Sequence, residues 1–295
     1  MPRDPMPPPA EAFGDYRLVR VLGEGASATV HLAQDLRNGG WVALKILQPG
    51  GSLARRLDAR QRFEREAELV KRLQHPHIVT LHAVGESEGR LWLAMEVVPG
   101  CSLERFSQGQ RLLAPTVVAR VGEHMAQALG YAHGQGVVHR DIKPSNAILD
   151  LASGHLKLTD FGTARLLDQG DTGTGLLLGS PAYMAPELLA GKPADAASDL
   201  YALGVLLFEL LAGRRPHESA SMGELLRQVA AEPAPDVRSL RPDVPVALAA
   251  AVSQLLDKRP AARPSSGAAA AAELARARAA TAGQPDTAAG GALSH

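Results

Sequence analysis

The residue types best suited to chemistry are concentrated in the segment 138–146, which reads VHRDIKPSN. It contains one carboxylate, Asp141, with the cation Lys143 two positions later and the amide Asn146 five positions later. A second carboxylate, Asp160, follows nineteen positions after Asp141 in the sequence LTDFG. A carboxylate can accept a hydroxyl proton, a lysine can neutralise phosphate oxygens, and amide and carboxylate oxygens are ligands that Mg²⁺ prefers. The pattern therefore indicates phosphoryl transfer, with Asn146 and Asp160 as metal ligands.

Two further ionisable residues fall inside apolar patterns. Lys45 lies within the predicted strand WVALKIL, where an unpaired ammonium would be costly to bury. In the helical pattern 60–73, Glu66 falls on the apolar face, whereas Glu64 and Glu68 point away from it. The apolar members of that face are Phe63, Val70 and Leu73. Each of these two inward-facing groups needs a partner of opposite charge, so we predict an ion pair between Lys45 and Glu66.

A glycine-rich segment, GEGASATV at 23–30, lies between two predicted strands at 16–21 and 30–33. A lone G-x-G also marks ordinary turns and dinucleotide sites, but here a strand and not a helix follows. This order suits a hairpin whose turn covers phosphates with backbone N–H groups. Gly23 and Gly25 would let the backbone approach closely.

Three motifs together resemble the signature of eukaryotic-like protein kinases, most closely their bacterial serine/threonine branch. They are HRD-x-K-x-x-N at 139–146, DFG at 160–162 and APE at 185–187, and the resemblance runs from about residue 16 to about residue 264. It implies a two-lobed α+β fold. The small lobe would have a five-stranded antiparallel sheet and one helix, and the larger lobe would be mainly helical. We expect a disordered proline-rich lead-in at 1–14, the small lobe at 15–97, the large lobe at 98–280 and a disordered tail at 281–295.

The resemblance assigns roles to the site residues. Asp141 would act as base, Lys143 would neutralise the γ-phosphate of ATP, and Lys45, held by Glu66, would position the α- and β-phosphates. Asn146 and Asp160 would hold Mg²⁺ or Mn²⁺. The expected nucleotide contacts are a phosphate loop of Leu22, Gly23, Glu24 and Gly25, the hinge backbone of Glu96 and Val98 in front of Met95, and ring contacts from Val30, Ala43 and Ile148.

Two positions depart from the family pattern. Ala28 stands where a third loop glycine is usual, and Ser180 stands where threonine is usual. We expect both to be tolerated, because the phosphate contacts are mainly backbone and serine keeps the hydroxyl. The resemblance also implies a buried ion pair between Glu187 and Arg263, and a brace from Asp199 to the catalytic-loop backbone.

The segment between DFG and APE is rich in glycine and threonine, which predicts a mobile loop. Thr172 and Thr174 lie eight and six positions before Ser180. These offsets match autophosphorylated threonines in bacterial relatives, so we expect phosphorylation there, mainly in trans within a homodimer. The arginines expected to bind the phosphate are Arg62, Arg140 and Arg165.

Composition narrows the compartment and the partners. Lysine plus arginine equals aspartate plus glutamate, 31 each, so no net field favours nucleic acid or an anionic membrane. The single cysteine, Cys101, fits a reducing cytoplasm. The most apolar run, 200–211, contains Glu209 and is shorter than the roughly 20 residues of a membrane span, so we expect a buried helix and a cytoplasmic protein. His75 and His77 lack a third metal ligand at suitable spacing, which favours a structural connector.

Lys143-Pro144 after the base, and GSPAY at 179–183, favour serine and threonine hydroxyls of proteins over tyrosine. Two other functions are compatible with parts of the pattern. A pseudokinase or nucleotide-binding scaffold usually lacks the lysine, the base or a metal ligand, and all of them are present here. A small-molecule phosphotransferase of the aminoglycoside or choline kinase type usually lacks a long activation segment that ends in APE.

Overall fold

The computed structural model describes residues 12–25, 28–48, 63–107, 111–161 and 181–282. They form a six-stranded antiparallel sheet with one helix packed against it, followed by a mainly helical part that carries a three-stranded sheet. The predicted α+β architecture of a small sheet lobe and a larger helical lobe is confirmed.

The small-lobe sheet has the strand order β1-β2-β3-β4-β6-β5. Its strands are β1 (Ala12–Phe13), β2 (Tyr16–Glu24), β3 (Ala28–Asp35), β4 (Trp41–Leu47), β5 (Leu81–Ser87) and β6 (Arg90–Met95). A helix over residues 63–71, α1, buries Phe63 and Ala67 against Leu47 and Leu93 of the sheet. The hairpins and the helix lie where the strand and helix patterns of the sequence predict them.

The sheet has one strand more than predicted. β1 is two residues long and pairs Phe13 with Tyr16 across a turn at Gly14, where φ is +57°. Phe13 is buried, and the guanidinium of Arg90 lies 4.6 Å from the centre of its ring. The strand was not predicted because the segment is proline-rich and contains a single aromatic residue, Phe13, whose buried ring holds the strand in place. The predicted lead-in at 1–14 is therefore wrong at its end.

Side-chain alternation along β4 separates two faces of the sheet. Val42, Leu44 and Ile46 belong to an outer cluster with Tyr16 and Trp92. The intervening residues, Ala43 and Lys45, point to the opposite face, which carries α1 and faces the large lobe. The period of two thus places both nucleotide-site candidates of β4 on the same side.

The large lobe contains six helices within the described residues. They are α2 (Pro115–Gly134), α3 (Pro186–Leu189), α4 (Ala196–Ala212), α5 (Met222–Ala231), α6 (Val246–Leu255) and α7 (Gly267–Ala282), with short 3₁₀ turns at Leu103–Phe106, Pro144–Asn146, Pro181–Tyr183, Val237–Ser239 and Pro260–Ala262. α2 and α7 approach so closely that a Cβ on Gly267 would lie 2.4 Å from the backbone nitrogen of Gly130. This contact fixes the helix that precedes the catalytic loop.

The central helix of the large lobe is α4. It begins in a capping box, in which the side chains of Asp195 and Ser198 each accept a hydrogen bond from the other residue's backbone, and it ends at Gly213, where φ is +72°. All fourteen residues of 198–211 are buried, which confirms the predicted buried helix. Within the described ranges, no helix combines the length and apolar character needed to cross a bilayer.

The two candidate metal ligands flank strands of a small sheet. Its strands are β7 (Cys101–Ser102), β8 (Ala147–Asp150) and β9 (His155–Leu158). Ala147 pairs with Leu158, and the Thr159 backbone N–H donates to the carbonyl of Asn146 at 2.9 Å. Asn146 precedes β8 and Asp160 follows β9, so the antiparallel pairing brings both to the same end of the sheet.

Candidate active site

The predicted base is held by the two polar residues that follow it. Lys143 Nζ lies 2.8 Å from Asp141 Oδ2. Asn146 Nδ2 donates to the same oxygen at 2.9 Å and to the Asp141 backbone carbonyl at 2.7 Å. Both side-chain contacts end at Oδ2, which leaves Oδ1 for a further proton donor. Because the Asn146 amide nitrogen faces two acceptors, its oxygen is turned away from Asp141.

A buried carboxylate braces the backbone of this loop. Asp199 is 2% exposed and accepts hydrogen bonds from the backbone N–H groups of His139 and Arg140, at 2.8 and 2.9 Å. The Nε2 of His133 on α2 lies 2.9 Å from Asp199 Oδ2. Arg140 has a φ of +69°, a conformation that costs energy for a residue with a Cβ. The expected brace is confirmed, and it holds a strained backbone beside the base.

Lys45 makes a different ion pair from the predicted one. Its Nζ lies 2.7 Å from Asp160 Oδ1, and both side chains are largely buried. Among the described residues, the expected pair of Lys45 with Glu66 is not formed. The rotation of α1 gives the reason: Ala67 is 0% exposed and lies deepest against the sheet, whereas Glu66 lies at the edge of the buried face. As predicted, Glu66 is more buried than the exposed Glu64 and Glu68, but the predicted partner of Lys45 is wrong, because Lys45 pairs with Asp160.

Asp160 also has a left-handed backbone, with φ at +66°. The next residue, Phe161, is buried, and its ring lies 4.5 Å from that of His139 in the catalytic loop. A small cavity of about 20 Å³ lies behind this turn. Its lining consists of Val70, Val79, Leu81, Leu93, Met95, Thr159, Asp160 and Phe161. The turn thus joins α1, the sheet and the catalytic loop around Asp160.

The expected adenine contacts share one face of the cleft. Strand register places Ala43 opposite Met95, and Val30 opposite Lys45. Val30, Ala43, Met95 and Ile148 are all half-buried, so each has surface left for a ligand. Leu22, at the end of β2, is exposed.

The hinge backbone is more constrained than expected at Glu96. Its N–H donates to the carbonyl of Thr80 at 3.0 Å, so only its carbonyl is left to meet a nucleotide. Its carboxylate accepts from the Thr80 N–H at 2.7 Å and pairs with Lys157. Burial alone would raise the pKa of Glu96, but the hydrogen bonds from Lys157 and Thr80 lower it. The Val98 N–H makes no backbone hydrogen bond among the described residues. Sequence reasoning missed Lys157, although a lysine inside the strand HLKL is itself a signal.

The phosphate loop is described only at its two ends. Gly23 pairs with Val30 and Glu24 with Thr29, and the Gly25 N–H donates to the Ala28 carbonyl at 2.9 Å. Ala28 is buried in the cluster that contains Leu47 and Phe63. The methyl group at the usual third-glycine position therefore packs into the small-lobe core.

The predicted ion pair between Glu187 and Arg263 is confirmed. Two parallel hydrogen bonds join them, Nη1 to Oε1 at 2.6 Å and Nη2 to Oε2 at 2.8 Å, and both side chains are buried. Arg263 also donates to the carbonyls of Asp257 and Ala197 at 2.8 Å. The pair fixes the APE end of the activation segment against the large lobe.

A second buried acid was not assigned a role from the sequence. Tyr183 donates a short hydrogen bond to Glu209 on α4, and burial raises the pKa of both groups. A lone glutamate inside an apolar helix is the signal that could have revealed it. The contact ties the segment after Ser180 to the central helix.

Several predictions fall on residues that the structure does not describe. These are the phosphorylation sites Thr172 and Thr174, the loop residue Ser180, and the arginines Arg62 and Arg165, together with Gly162 of DFG. Arg140 is described: its Nε is buried and has no hydrogen-bond partner among the described residues.

Comparison with known proteins agrees with the geometry of the site. A family model described as "Protein kinase domain" matches residues 16–275. Serine/threonine-protein kinase PknJ of Mycobacterium tuberculosis is 43% identical over 255 residues, which cover 84% of this chain and 43% of the relative. PrkC of Bacillus subtilis is 38% identical over 234 residues, which cover 79% of this chain and 36% of that protein. The chain thus spans less than half the length of these relatives.

Solved structures show the same fold. The crystal structure of the M. tuberculosis PknI kinase domain superposes with a TM-score of 0.71 at 33% identity, covering 92% of this chain and 98% of that chain. Rad53 residues 1–466 in complex with AMP-PNP gives a TM-score of 0.72 at 26% identity, covering 87% of this chain and 64% of Rad53.

Proposed function

Since the chain belongs to the protein kinase domain family, in its bacterial serine/threonine branch, we propose that it transfers the γ-phosphoryl group of ATP to serine and threonine hydroxyls of proteins. The observation that carries this proposal is the arrangement of Asp141, Lys143 and Asn146 at one end of β8, with Asp160 at the adjacent end of β9. Proteins of this family use ATP and a divalent metal and act on protein substrates.

Asp141 orients the substrate hydroxyl and accepts its proton. Both side-chain hydrogen bonds reach Oδ2, so Oδ1 is the oxygen that meets the hydroxyl. Lys143 and Asn146 keep the carboxylate in a single orientation. Asp199 fixes the backbone that carries it, so little rearrangement is needed when the substrate binds.

Two lysines bind the phosphates. Lys143 is partly exposed beside Asp141 and can reach the γ-phosphate oxygens as charge develops there. Lys45 is almost fully buried on the cleft face of β4 and positions the α- and β-phosphates. Asp160 neutralises its charge in the structure, and Glu66 on α1 is the acid proposed to hold Lys45 when the phosphates are bound.

The donor set fits Mg²⁺. Asn146 uses its nitrogen on Asp141, which turns the amide oxygen outward, and Asp160 supplies a carboxylate at the same end of the small sheet. Oxygen ligands of this kind suit Mg²⁺ and Mn²⁺. When bound, the metal would neutralise charge on the β- and γ-phosphates. The adenine ring lies between Val30, Ala43 and Ile148, and its edge meets the Glu96 carbonyl and the Val98 N–H.

We further infer activation by phosphorylation of Thr172 or Thr174, in trans between two copies. The support is Arg140: a buried guanidinium nitrogen without a partner among the described residues is suited to an anion. A phosphothreonine would supply that anion and order the loop. Phosphosite mapping of the purified chain after incubation with Mg-ATP tests this inference, and an enzyme that is active while unmodified at both threonines would refute it.

The central experiment measures phosphate transfer from radiolabelled ATP to a generic basic protein and to a panel of small alcohols. We expect transfer to the protein only, and Asp141→Asn should lower the rate roughly 10²- to 10⁴-fold while leaving ATP binding intact, because it removes the base. Asp243→Asn, whose side chain is 63% exposed, serves as the matched control and should match the wild type. ATP binding without any transfer would favour a scaffold, and transfer to a small alcohol would favour a small-molecule phosphotransferase.

A further inference from the structure

Four histidines meet where the connector after α1 touches the large lobe. This histidine cluster consists of His75 and His77 in the connector 73–79, His124 on α2 and His155 at the start of β9. His77 is central: its ring centre lies 3.9 Å from that of His124, 5.4 Å from that of His155 and 5.6 Å from that of His75. The rings of His77 and His124 are nearly parallel, at 12°. The sequence showed only the pair in HPHI, because α2 and β9 supply the other two rings.

The hydrogen bonds fix the role of one nitrogen in each of three of these rings. A carbonyl oxygen can only accept, so His77 Nδ1 carries the proton it donates to Leu156 at 2.9 Å, and His155 Nε2 carries the proton it donates to Pro76 at 3.1 Å. His75 Nδ1 accepts from the His77 backbone N–H at 3.2 Å and is therefore unprotonated. A proton added to His75 would break that bond.

The charged groups around the cluster do not favour a second proton. Lys157 on β9 and Arg120 on α2 are cations that act on these rings, and Glu123 on α2 is the acid. Glu123 already pairs with Arg278 at 2.8 Å. His124 Nδ1 is buried and has no hydrogen-bond partner among the described residues. An imidazolium on either stacked ring would thus be desolvated and close to other cations.

The cluster joins two elements that lead to the active site. The connector follows α1, which carries Glu66, and pairs with β9 through the hydrogen bonds from Leu158 N–H to the His77 carbonyl and from Val79 N–H to the Leu158 carbonyl, each 2.9 Å long. Two residues beyond Leu158 is Asp160. The ring of His75 also stacks on Tyr131 of α2, with the ring centres 5.2 Å apart. Separation of these rings would release both the end of α1 and the strand that positions Asp160.

We propose that the histidine cluster is a proton-sensitive latch, closed while the rings of His75, His77 and His124 are neutral and opened in mild acid, so that kinase activity falls as the connector separates from α2. Only the predicted effect on activity rests on the proposed function. Opening of the latch itself is a structural event that can be measured without ATP.

The direction of the pH effect follows from burial. Burial lowers the pKa of His75, His77 and His124, the last to about 4. A histidine whose pKa is lower in the folded state stabilises the fold fully above its unfolded value of about 6.5, and this stabilisation is lost as pH falls towards the folded value. At pH 5.5, His124 alone would lower the folding equilibrium constant about tenfold relative to pH 7.5.

The test compares the wild-type chain with His124→Phe, which keeps a stacked ring but cannot be protonated, and with His82→Gln, which changes an exposed histidine on β5 outside the cluster. Urea unfolding at pH 7.5 and 5.5 gives the factor by which the folding equilibrium constant falls between the two pH values. We expect this factor to be about tenfold smaller in His124→Phe than in the wild type, and the same in His82→Gln as in the wild type. Equal losses in all three proteins would overturn the proposal.

Amide hydrogen exchange distinguishes a latch from general acid sensitivity. After correction for the intrinsic pH dependence of exchange, we expect faster exchange at pH 5.5 in 73–80 and 155–158 of the wild type, with α6 unaffected and with no such change in His124→Phe. A uniform increase over the whole chain would refute the latch.

Activity at pH 5.5, relative to that at pH 7.5, should be retained better by His124→Phe than by the wild type, and identical pH profiles would refute the regulatory role. If no variant transferred phosphate at any pH, the proposed function would fail, while the exchange experiment would still decide on the latch.

Discussion

The catalytic loop and the region around Lys45 differ in how firmly the fold holds them. Asp141 receives hydrogen bonds from its neighbours in the loop, and the backbone beside it is fixed by Asp199, a carboxylate that is 2% exposed. Lys45 is also buried, but its partner is Asp160 on the other lobe and not Glu66 on the adjacent helix. The conformation of the catalytic loop is determined within one lobe. The contacts of Lys45 depend on how α1 and the two lobes meet.

This difference shows where regulation can act. A base that is braced from a buried helix does not need a signal to take up its position. We infer that the contacts of Lys45 are the adjustable ones, because its partner lies on the other lobe and the acid of α1, Glu66, lies at the edge of the buried face. The histidine cluster lies directly after this helix and is therefore well placed to influence the adjustable region.

Among substitutions at Lys45, Asp199 and Glu66, the largest effect on rate is expected at Lys45. Lys45→Met should lower the rate of phosphate transfer on the order of 10²- to 10³-fold, because it removes a cation directed at the phosphates. The melting temperature should change little, since methionine fits an apolar strand and the side chain of Asp160, which is 21% exposed, keeps some contact with water. Thermal unfolding and steady-state kinetics check this, and a variant that fails to fold would show that Lys45 is a structural residue like Asp199.

A smaller effect on rate but a larger one on stability is expected at Asp199. Asp199→Ala leaves two backbone N–H groups and His133 without their buried acceptor, so we expect a loss of about 3 kcal/mol in the free energy of unfolding. Asp195→Ala, on the same helix, removes only a capping bond and should cost about 1 kcal/mol. Urea denaturation of both variants decides: equal losses would mean that the loop is not braced by Asp199.

The smallest effect is expected at Glu66. If α1 rotates to bring Glu66 to Lys45 during turnover, Glu66→Gln should lower kcat/KM by up to about fivefold, the value of a partly exposed ion pair. Glu64→Gln, two positions earlier and exposed, should leave kcat/KM unchanged. Equal impairment of the two variants would mean that the face of α1 does not select the partner.

Local patterns in the sequence predicted most of the elements. Alternation defined the strands of the small lobe, the long apolar run defined α4, and fixed spacings defined the catalytic loop. These features depend on neighbours in the chain, so they can be inferred without knowing the fold. The Glu187–Arg263 pair was also predicted, but from the family resemblance and not from spacing alone.

Only the tertiary structure decided which groups meet across elements. These contacts are the packing of Arg90 on the Phe13 ring, the pairing of Lys45 with Asp160, the Lys157–Glu96 contact behind the hinge and the gathering of four histidines. Each of them joins segments far apart in the chain. A buried charge takes the carboxylate that the packing brings nearest, and a ring stacks on whichever ring shares its pocket. The sequence determined the chemical groups of this kinase domain and their local order, whereas the rotation of α1 and the docking of the connector determined which of them interact.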